Sequence, residues 1–271
     1  MLGAIAGDII GSAYELNNVK TKDFELFDPS SLRLGFTDDT VMTVALMDAI
    51  MNNKPYGITM QKYFRKYPDA GYGFNFHSWC LHEEVDPYDS WGNGSAMRTS
   101  PVAYAFHTID DVVKRAAHYA SVTHNHPEGI KGAQAIASAI FLARTGSSKD
   151  DIANFIAEQF DYDLDRSIDE IRPDYEFDVS CEGTVPEAII AFLESTDYED
   201  AIRNAVSIGG DSDTIACMTG GIAEAYYDGV PRPIASTALG HLTTDLMNVV
   251  TSFYQRYNLH LRAQRTTPQS Q

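Results

Sequence analysis

Apolar side chains recur at three- and four-residue intervals along most of this chain. The spacing predicts helices over 40–52 (TVMTVALMDAIMN), 109–121, 129–144 (GIKGAQAIASAIFLAR), 149–160, 185–195, 198–208, 214–227 and 242–257. Gly7-Asp8-Ile9-Ile10-Gly11-Ser12-Ala13-Tyr14-Glu15 reads as a further helix with small residues on one face and Glu15 at its end. No run alternates as a strand would. Several of these helices carry Ala or Gly where partners would meet, as at Ala133, Ala135, Ala137 and Ala139. Small residues there favour close helix–helix approach in an all-α globule rather than a long coiled coil.

Two stretches break the helical pattern. Residues 68–99 are rich in aromatics, Gly and His, while 161–183 hold nine acidic residues and read as a solvated loop with a short helix. Residues 263–271 read as a flexible C-terminal tail. No Pro/Gly/Ser-rich linker, charge block, internal repeat or low-complexity tract divides the rest, so one domain over 1–262 is expected.

Charge and cysteine content narrow the function classes. The chain of 271 residues carries 20 basic and 38 acidic side chains, a formal net charge of −18. That balance argues against nucleic acid or an anionic membrane as a partner, because phosphate backbones are met by basic faces. Small anions remain compatible, since amides at helix starts and glycine turns hold phosphate without a basic surface. Cys80, Cys181 and Cys217 are odd in number and widely spaced, which indicates neither a disulfide framework nor a zinc site and fits a reducing compartment. The apolar start is broken by Asp8 and lacks a basic n-region, and no stretch reaches 18 uncharged apolar residues. A cytoplasmic monomer is the expectation.

Two acidic motifs carry the chemistry. Phe36-Thr37-Asp38-Asp39-Thr40 and Gly209-Gly210-Asp211-Ser212-Asp213-Thr214 each join carboxylates to a threonine immediately before a predicted helix. Helix capping accounts for part of this, since Asp and Thr suit N-caps and acidic groups suit the first turn. A cap needs only one acceptor, however. Four carboxylates and two hydroxyls from distant helix starts form an oxygen-only set suited to Mg²⁺, Mn²⁺ or Ca²⁺.

The remaining motifs are individually weaker. Gly92-Asn93-Gly94-Ser95-Ala96-Met97-Arg98 is a glycine turn entering a helix, able to aim amides at phosphate or simply to form a tight turn. In Thr123-His124-Asn125-His126-Pro127 the two histidines are poorly spaced for a metal, so His124 reads as a ligand contact or a helix-end residue. Cys181-Glu182-Gly183-Thr184-Val185-Pro186-Glu187-Ala188 leads into a helix with Pro186 in its first turn, and Cys181 there reads as a packed thiol.

Together these segments resemble the ADP-ribosylglycohydrolase family, including the dinitrogenase reductase-activating glycohydrolases. The matching elements are G-D-x-x-G-x-x-x-E at 7–15, F-T-D-D-T at 36–40, W-G-N-G-S-A-M-R at 91–98, T-H at 123–124, G-T-V-P-E-A at 183–188 and G-G-D-S-D-T at 209–214. They occur in the family's order across most of the chain. The resemblance implies an all-α, orthogonal helical bundle with two divalent ions, Mg²⁺ or Mn²⁺, at the base of an ADP-ribose cleft. It implies Thr37, Asp38, Asp39, Asp211, Asp213 and Thr214 as metal ligands, with Asp213 bridging, and Glu15 as a gate or acid/base. It implies Ser90, Trp91, Gly92, Asn93, Gly94 and His124 as substrate contacts, with an aromatic group preserved at Trp91.

The expected reaction is metal-dependent hydrolysis of the glycosidic bond between ADP-ribose and a protein side chain, arginine ahead of serine. Departure of the acceptor builds oxocarbenium character on the distal ribose. A two-metal centre can hold the ribose hydroxyls and acidify water, leaving one carboxylate to complete proton transfer. Glu15 and Asp213 compete for that task. The alternatives are a hydrolase of a small ADP-ribose-derived metabolite, and a non-catalytic ADP-ribose-binding protein on the same fold.

Overall fold

Many helices begin where a short polar side chain can take up a free amide of the first turn. Thr37, Thr108, Ser148, Ser180, Asp197 and Thr243 each accept a backbone N–H from two or three residues ahead. The computed structural model describes residues 1–82, 86–259 and 263–264. Among them fifteen helices follow in order. Helix α1 (Leu2–Ser12) is followed by α2 (Asp38–Asn52), α3 (Tyr56–Lys66) and α4 (Phe74–Leu81). Next come α5 (Gly94–Met97), α6 (Ser100–Ala105), α7 (Ile109–Ala120), α8 (Pro127–Arg144) and α9 (Lys149–Phe160). The set ends with α10 (Ile168–Ile171), α11 (Cys181–Leu193), α12 (Tyr198–Ile208), α13 (Ser212–Tyr226), α14 (Arg232–His241) and α15 (Thr244–Arg256). The architecture is the expected all-helical single domain.

Two dipeptides, β1 (Val230–Pro231) and β2 (Ala263–Gln264), pair in parallel. The start of the expected C-terminal tail is thus hydrogen-bonded to the body, and the rest of that tail, 265–271, lies outside the described residues. No helix among the described residues is long and apolar enough to cross a membrane.

The centre is an antiparallel pair, α1 against α13, and its closeness is written in small residues. A Cβ on Gly3, Gly7 or Gly11 would fall 2.2, 2.0 and 2.4 Å from the carbonyl oxygens of Gly220, Ala216 and Ser212 respectively. The four-residue spacing runs in step on both helices, so the backbones nearly touch along one stripe. This contact carries Asp8 in α1, fully buried, to the side of Asp213 at the start of α13. Helices α8, α11 and α12 pack around the pair, and α2 brings in its own N-terminus from the other side.

The structure corrects some boundaries. Helix α1 ends at Ser12, so Glu15 lies in the following turn, not on the helix. Helix α11 begins at Cys181, with the Ser180 hydroxyl accepting from Gly183, which puts Pro186 inside the helix instead of in its first turn. Helices α3, α4 and α14 lie in segments for which no helix is predicted; each is short and interrupted by Gly, Pro or mixed polar positions.

Candidate functional site

The starts of α2 and α13 meet beside Asp8 of α1, and their carboxylates converge. One oxygen each from Asp8, Asp39 and Asp213 lie within 4.8 Å of one another, and so do single oxygens of Glu15, Asp211 and Asp213. Asp213 belongs to both groups. All donors are oxygen and no histidine or cysteine joins them, the chemistry of a hard divalent cation. The carboxyl oxygen Asp39 Oδ1 is buried without a hydrogen-bond partner, a costly state for a carboxylate unless something positive meets it. The residues therefore fit hard divalent cations.

Asp8 organises the first motif. Its carboxylate accepts from the Thr37 amide (3.0 Å) and hydroxyl (2.7 Å), from the Thr40 amide (3.1 Å), and from the Thr40 hydroxyl. Thr37 also caps α2 by accepting from Asp39 N–H. Its hydroxyl is thus held between a cap and a carboxylate. Thr214 donates from its hydroxyl to Asp39 Oδ2 over 3.2 Å, linking the two motifs directly. The aspartate in G-D-x-x-G was not singled out from the sequence. Its signal was present as an acid inside an apolar, glycine-striped helix, a placement that demands a partner.

Crowding of like charges sets the electrostatics. Burial raises Asp8 to about 6 despite its four donors, and Asp211 likewise to about 6. Asp38, partly open to the cleft, is raised to about 8 by desolvation together with Asp8 and Asp211. Burial, then the neighbouring aspartates, pushes Asp39 and Asp213 well above the usual carboxylate range. Such a cluster favours protons or cations over its fully ionised, empty form.

Above the carboxylates lies a cleft of about 570 Å³. Glu15 stands at its edge, its Oε2 accepting from Arg33 Nη1 over 3.1 Å. The turn Ser90-Trp91-Gly92-Asn93-Gly94 forms one wall. It is braced by the start of α11 and the residues leading into it, through Asn93 N–H to Val179 O (2.8 Å) and Cys181 N–H to Trp91 O (3.1 Å). The Ser90 hydroxyl accepts from Gly92 N–H, and the Asn93 amide donates to Asp211 Oδ2 over 2.7 Å. His124, almost fully buried, lies behind Gly92 and Gly94. His126 caps α8 by accepting from Glu128 N–H, so the second histidine of that pair has a structural task. The free thiol of Cys181 is buried and donates to Gly92 O, a packed thiol as the sequence suggested.

The rim is apolar and exposed: Phe74, Trp91, Phe177 and Val179 all line the mouth. Phe74 and Phe177 come from the two irregular stretches, 68–99 and 161–183, whose lack of periodicity hid them. Of the sequence-derived site residues, the carboxylates, Thr214, Glu15, the turn and His124 all line this one cleft, whereas Thr37 stands behind it on Asp8.

The chain is similar to known proteins over most of its length. A sequence model described as ADP-ribosylglycohydrolase matches residues 1–262. The chain is 28% identical to "ADP-ribosylhydrolase ARH3" of Homo sapiens over 91% of this chain and 90% of that protein. It is 27% identical to a putative ADP-ribosyl glycohydrolase of Acanthamoeba polyphaga mimivirus, over 90% and 91% of the two chains. It is also similar in fold to a solved structure described as an ADP-ribosylglycohydrolase-related protein complex. That match has a TM-score of 0.73 and 22% identity, and covers 94% of this chain and 97% of the other.

Proposed function

We propose that this chain, which belongs to the ADP-ribosylglycohydrolase family, hydrolyses the bond between C1 of the distal ribose of ADP-ribose and an acceptor side chain, with two Mg²⁺ or Mn²⁺ ions as cofactors. The observation that carries the reading is the pair of oxygen clusters sharing Asp213 on the floor of the cleft. Asp8, Asp39 and Asp213 would hold one ion, and Glu15, Asp211 and Asp213 the other, with Asp38 and Thr214 alongside. Bound there, the ions would orient the ribose hydroxyls and acidify a water.

The protein's own groups supply the rest. In the reaction a water oxygen bonds to C1, the C1–acceptor bond breaks, and the acceptor leaves with a proton. Asp213 is claimed by both clusters and is nearly inaccessible, so it suits a bridging ligand. Glu15, at the cleft edge and outside any helix, suits the general base that takes the water's proton. The turn at 90–94 would form the wall against which the nucleotide lies. The exposed rim of Trp91, Phe74 and Phe177 would cover the base or the acceptor chain and exclude water.

For the acceptor we keep arginine ahead of serine. The chain's net charge of −18 suits a basic target, and Glu15 already binds a guanidinium, that of Arg33. The test is ADP-ribose release from arginine-linked and serine-linked ADP-ribosyl peptides with Mg²⁺, with Mn²⁺ and with chelator. Metal-dependent release from the arginine peptide is expected, and it should vanish in Asp213→Asn. Release that persists in chelator would overturn the reading. Release from the serine peptide alone would replace the acceptor and leave the chemistry standing.

A further inference from the structure

Arg98 is buried, with 2% of its surface exposed, yet among the described residues no carboxylate forms an ion pair with it. Its guanidinium lies over the Tyr56 ring, 5.5 Å from the centroid, and its Nη2 donates to Thr123 Oγ1 over 2.8 Å. Thr123 is completely buried, and its hydroxyl lies 2.7 Å from His124 Nδ1. A guanidinium can only donate, so the Thr123 oxygen accepts from it. The hydroxyl proton then needs an acceptor of its own, because a buried unsatisfied donor is costly. Among the described residues the one acceptor within reach is His124 Nδ1.

From this chain of donors we infer that Arg98 and Thr123 are positioning residues that lock His124 as the neutral tautomer bearing its proton on Nε2, and so aim a fixed N–H donor into the cleft. Nε2 lies on the side of the glycine turn. A Cβ on Gly94 would come within 3.2 Å of it and one on Gly92 within 3.6 Å, so only glycines leave that edge of the ring open. Tyr88 packs on the ring at 5.9 Å between centroids and limits its rotation. Burial and the nearby Arg98 charge both hold His124 well below its ordinary range, in keeping with a neutral ring.

The consequence is chemical. His124 cannot act as a proton shuttle, since one nitrogen is occupied by Thr123 and the ring stays neutral. It serves instead as a hydrogen-bond donor to an oxygen of the bound ligand, set in place before the ligand arrives. The donor role rests on the ADP-ribose reading above, whereas the tautomer does not.

The experiment separates the two. Nitrogen-15 spectra of histidine-labelled protein, with His124 assigned through His124→Gln, should show a bare Nδ1 and a protonated Nε2 near neutral pH. Thr123→Val removes the relay while keeping the side-chain shape, and Thr123→Ser restores it. In Thr123→Val the tautomer preference should disappear, and ADP-ribose affinity, measured calorimetrically with Mg²⁺, should fall about three- to tenfold, the value of one hydrogen bond. Thr123→Ser should recover both. A proton on Nδ1, a doubly protonated ring, or an unchanged spectrum in Thr123→Val would overturn the inference. A correct tautomer with no ADP-ribose binding in the wild type would instead strike the functional reading, and the donor role with it.

Discussion

The side-chain amide of Asn93 donates to Asp211 Oδ2 over 2.7 Å, fastening the cleft wall to the carboxylate floor. Asn93 was read from the sequence as a substrate contact, but its amide is committed to a carboxylate of the proposed metal centre. The bond holds Asp211 in register with Glu15 and Asp213 and fixes the height of the turn above them.

Removing that bond should therefore harm metal and substrate binding together. Hydrogen bonds to charged groups contribute about 1.5–3 kcal/mol, so Asn93→Ala is expected to lower kcat/KM roughly ten- to a hundredfold. A Mg²⁺ titration of the variant should also show a weaker apparent affinity. Loss in KM with an unchanged metal requirement would mean that Asn93 touches substrate instead.

The pH dependence of the metal-free protein follows from the raised carboxylates. Asp8 and Asp211 near 6 and Asp38 near 8 bind protons more tightly in the folded chain than in the unfolded one. Their contribution to stability is full below about pH 4, the ordinary aspartate value, and is lost as pH rises through about 6 and then 8. In chelator, Tm should fall between pH 5 and pH 8. With millimolar Mg²⁺ or Mn²⁺ the decline should flatten, because cations take the protons' place. A metal-free Tm that rises over this interval would show that the aspartates do not crowd as described.

The close approach of α1 and α13 makes a sharp contrast between two glycines. Gly7→Ala would drive a Cβ to 2.0 Å from Ala216 O, where backbone, not a flexible side chain, must move. The expected loss is about 3 kcal/mol or more, at the upper end of overpacking costs, with Asp8 displaced from Thr37 and metal binding reduced as well. Gly240→Ala in α14 meets nothing within 4 Å and should be neutral or stabilising by about 0.5–1 kcal/mol. Thermal melts of the two variants side by side test the packing directly.

Part of this organisation is legible in the sequence. Helices α9 and α12 were legible to the residue, because each starts at a polar cap and shows a clear apolar face. Both acidic motifs were legible because they hold more carboxylates than capping needs. Asp8 was not, since its role depends on the register of α1 against α13, and a single helix does not reveal which neighbour its glycine stripe meets. Phe177 was hidden for a related reason: it lies on an irregular acidic loop whose course is set by distant contacts, such as the Tyr175 hydroxyl on Gly183 O and Lys20 Nζ on Tyr175 O.

Glu15 and Arg33 offer the last test, since this ion pair competes with the proposed centre for one carboxylate. Arg33 lies half in solvent, at 53% side-chain exposure, and such pairs contribute about 0.2–1 kcal/mol. If Glu15 must turn from Arg33 toward an ion or a water, Arg33→Met frees it. Apparent Mg²⁺ affinity should then rise about 1.5- to fivefold at low ionic strength, and the gain should shrink as salt screens the wild-type pair. Glu15→Gln should abolish that gain and reduce turnover strongly while leaving Tm nearly unchanged, because the half-buried residue lies in a turn at the cleft edge rather than in the core. Arg33→Met without effect on metal affinity would place Glu15 outside the metal's reach, as a base only. A fall in affinity would mean that Arg33 orients Glu15 toward the site instead of holding it back.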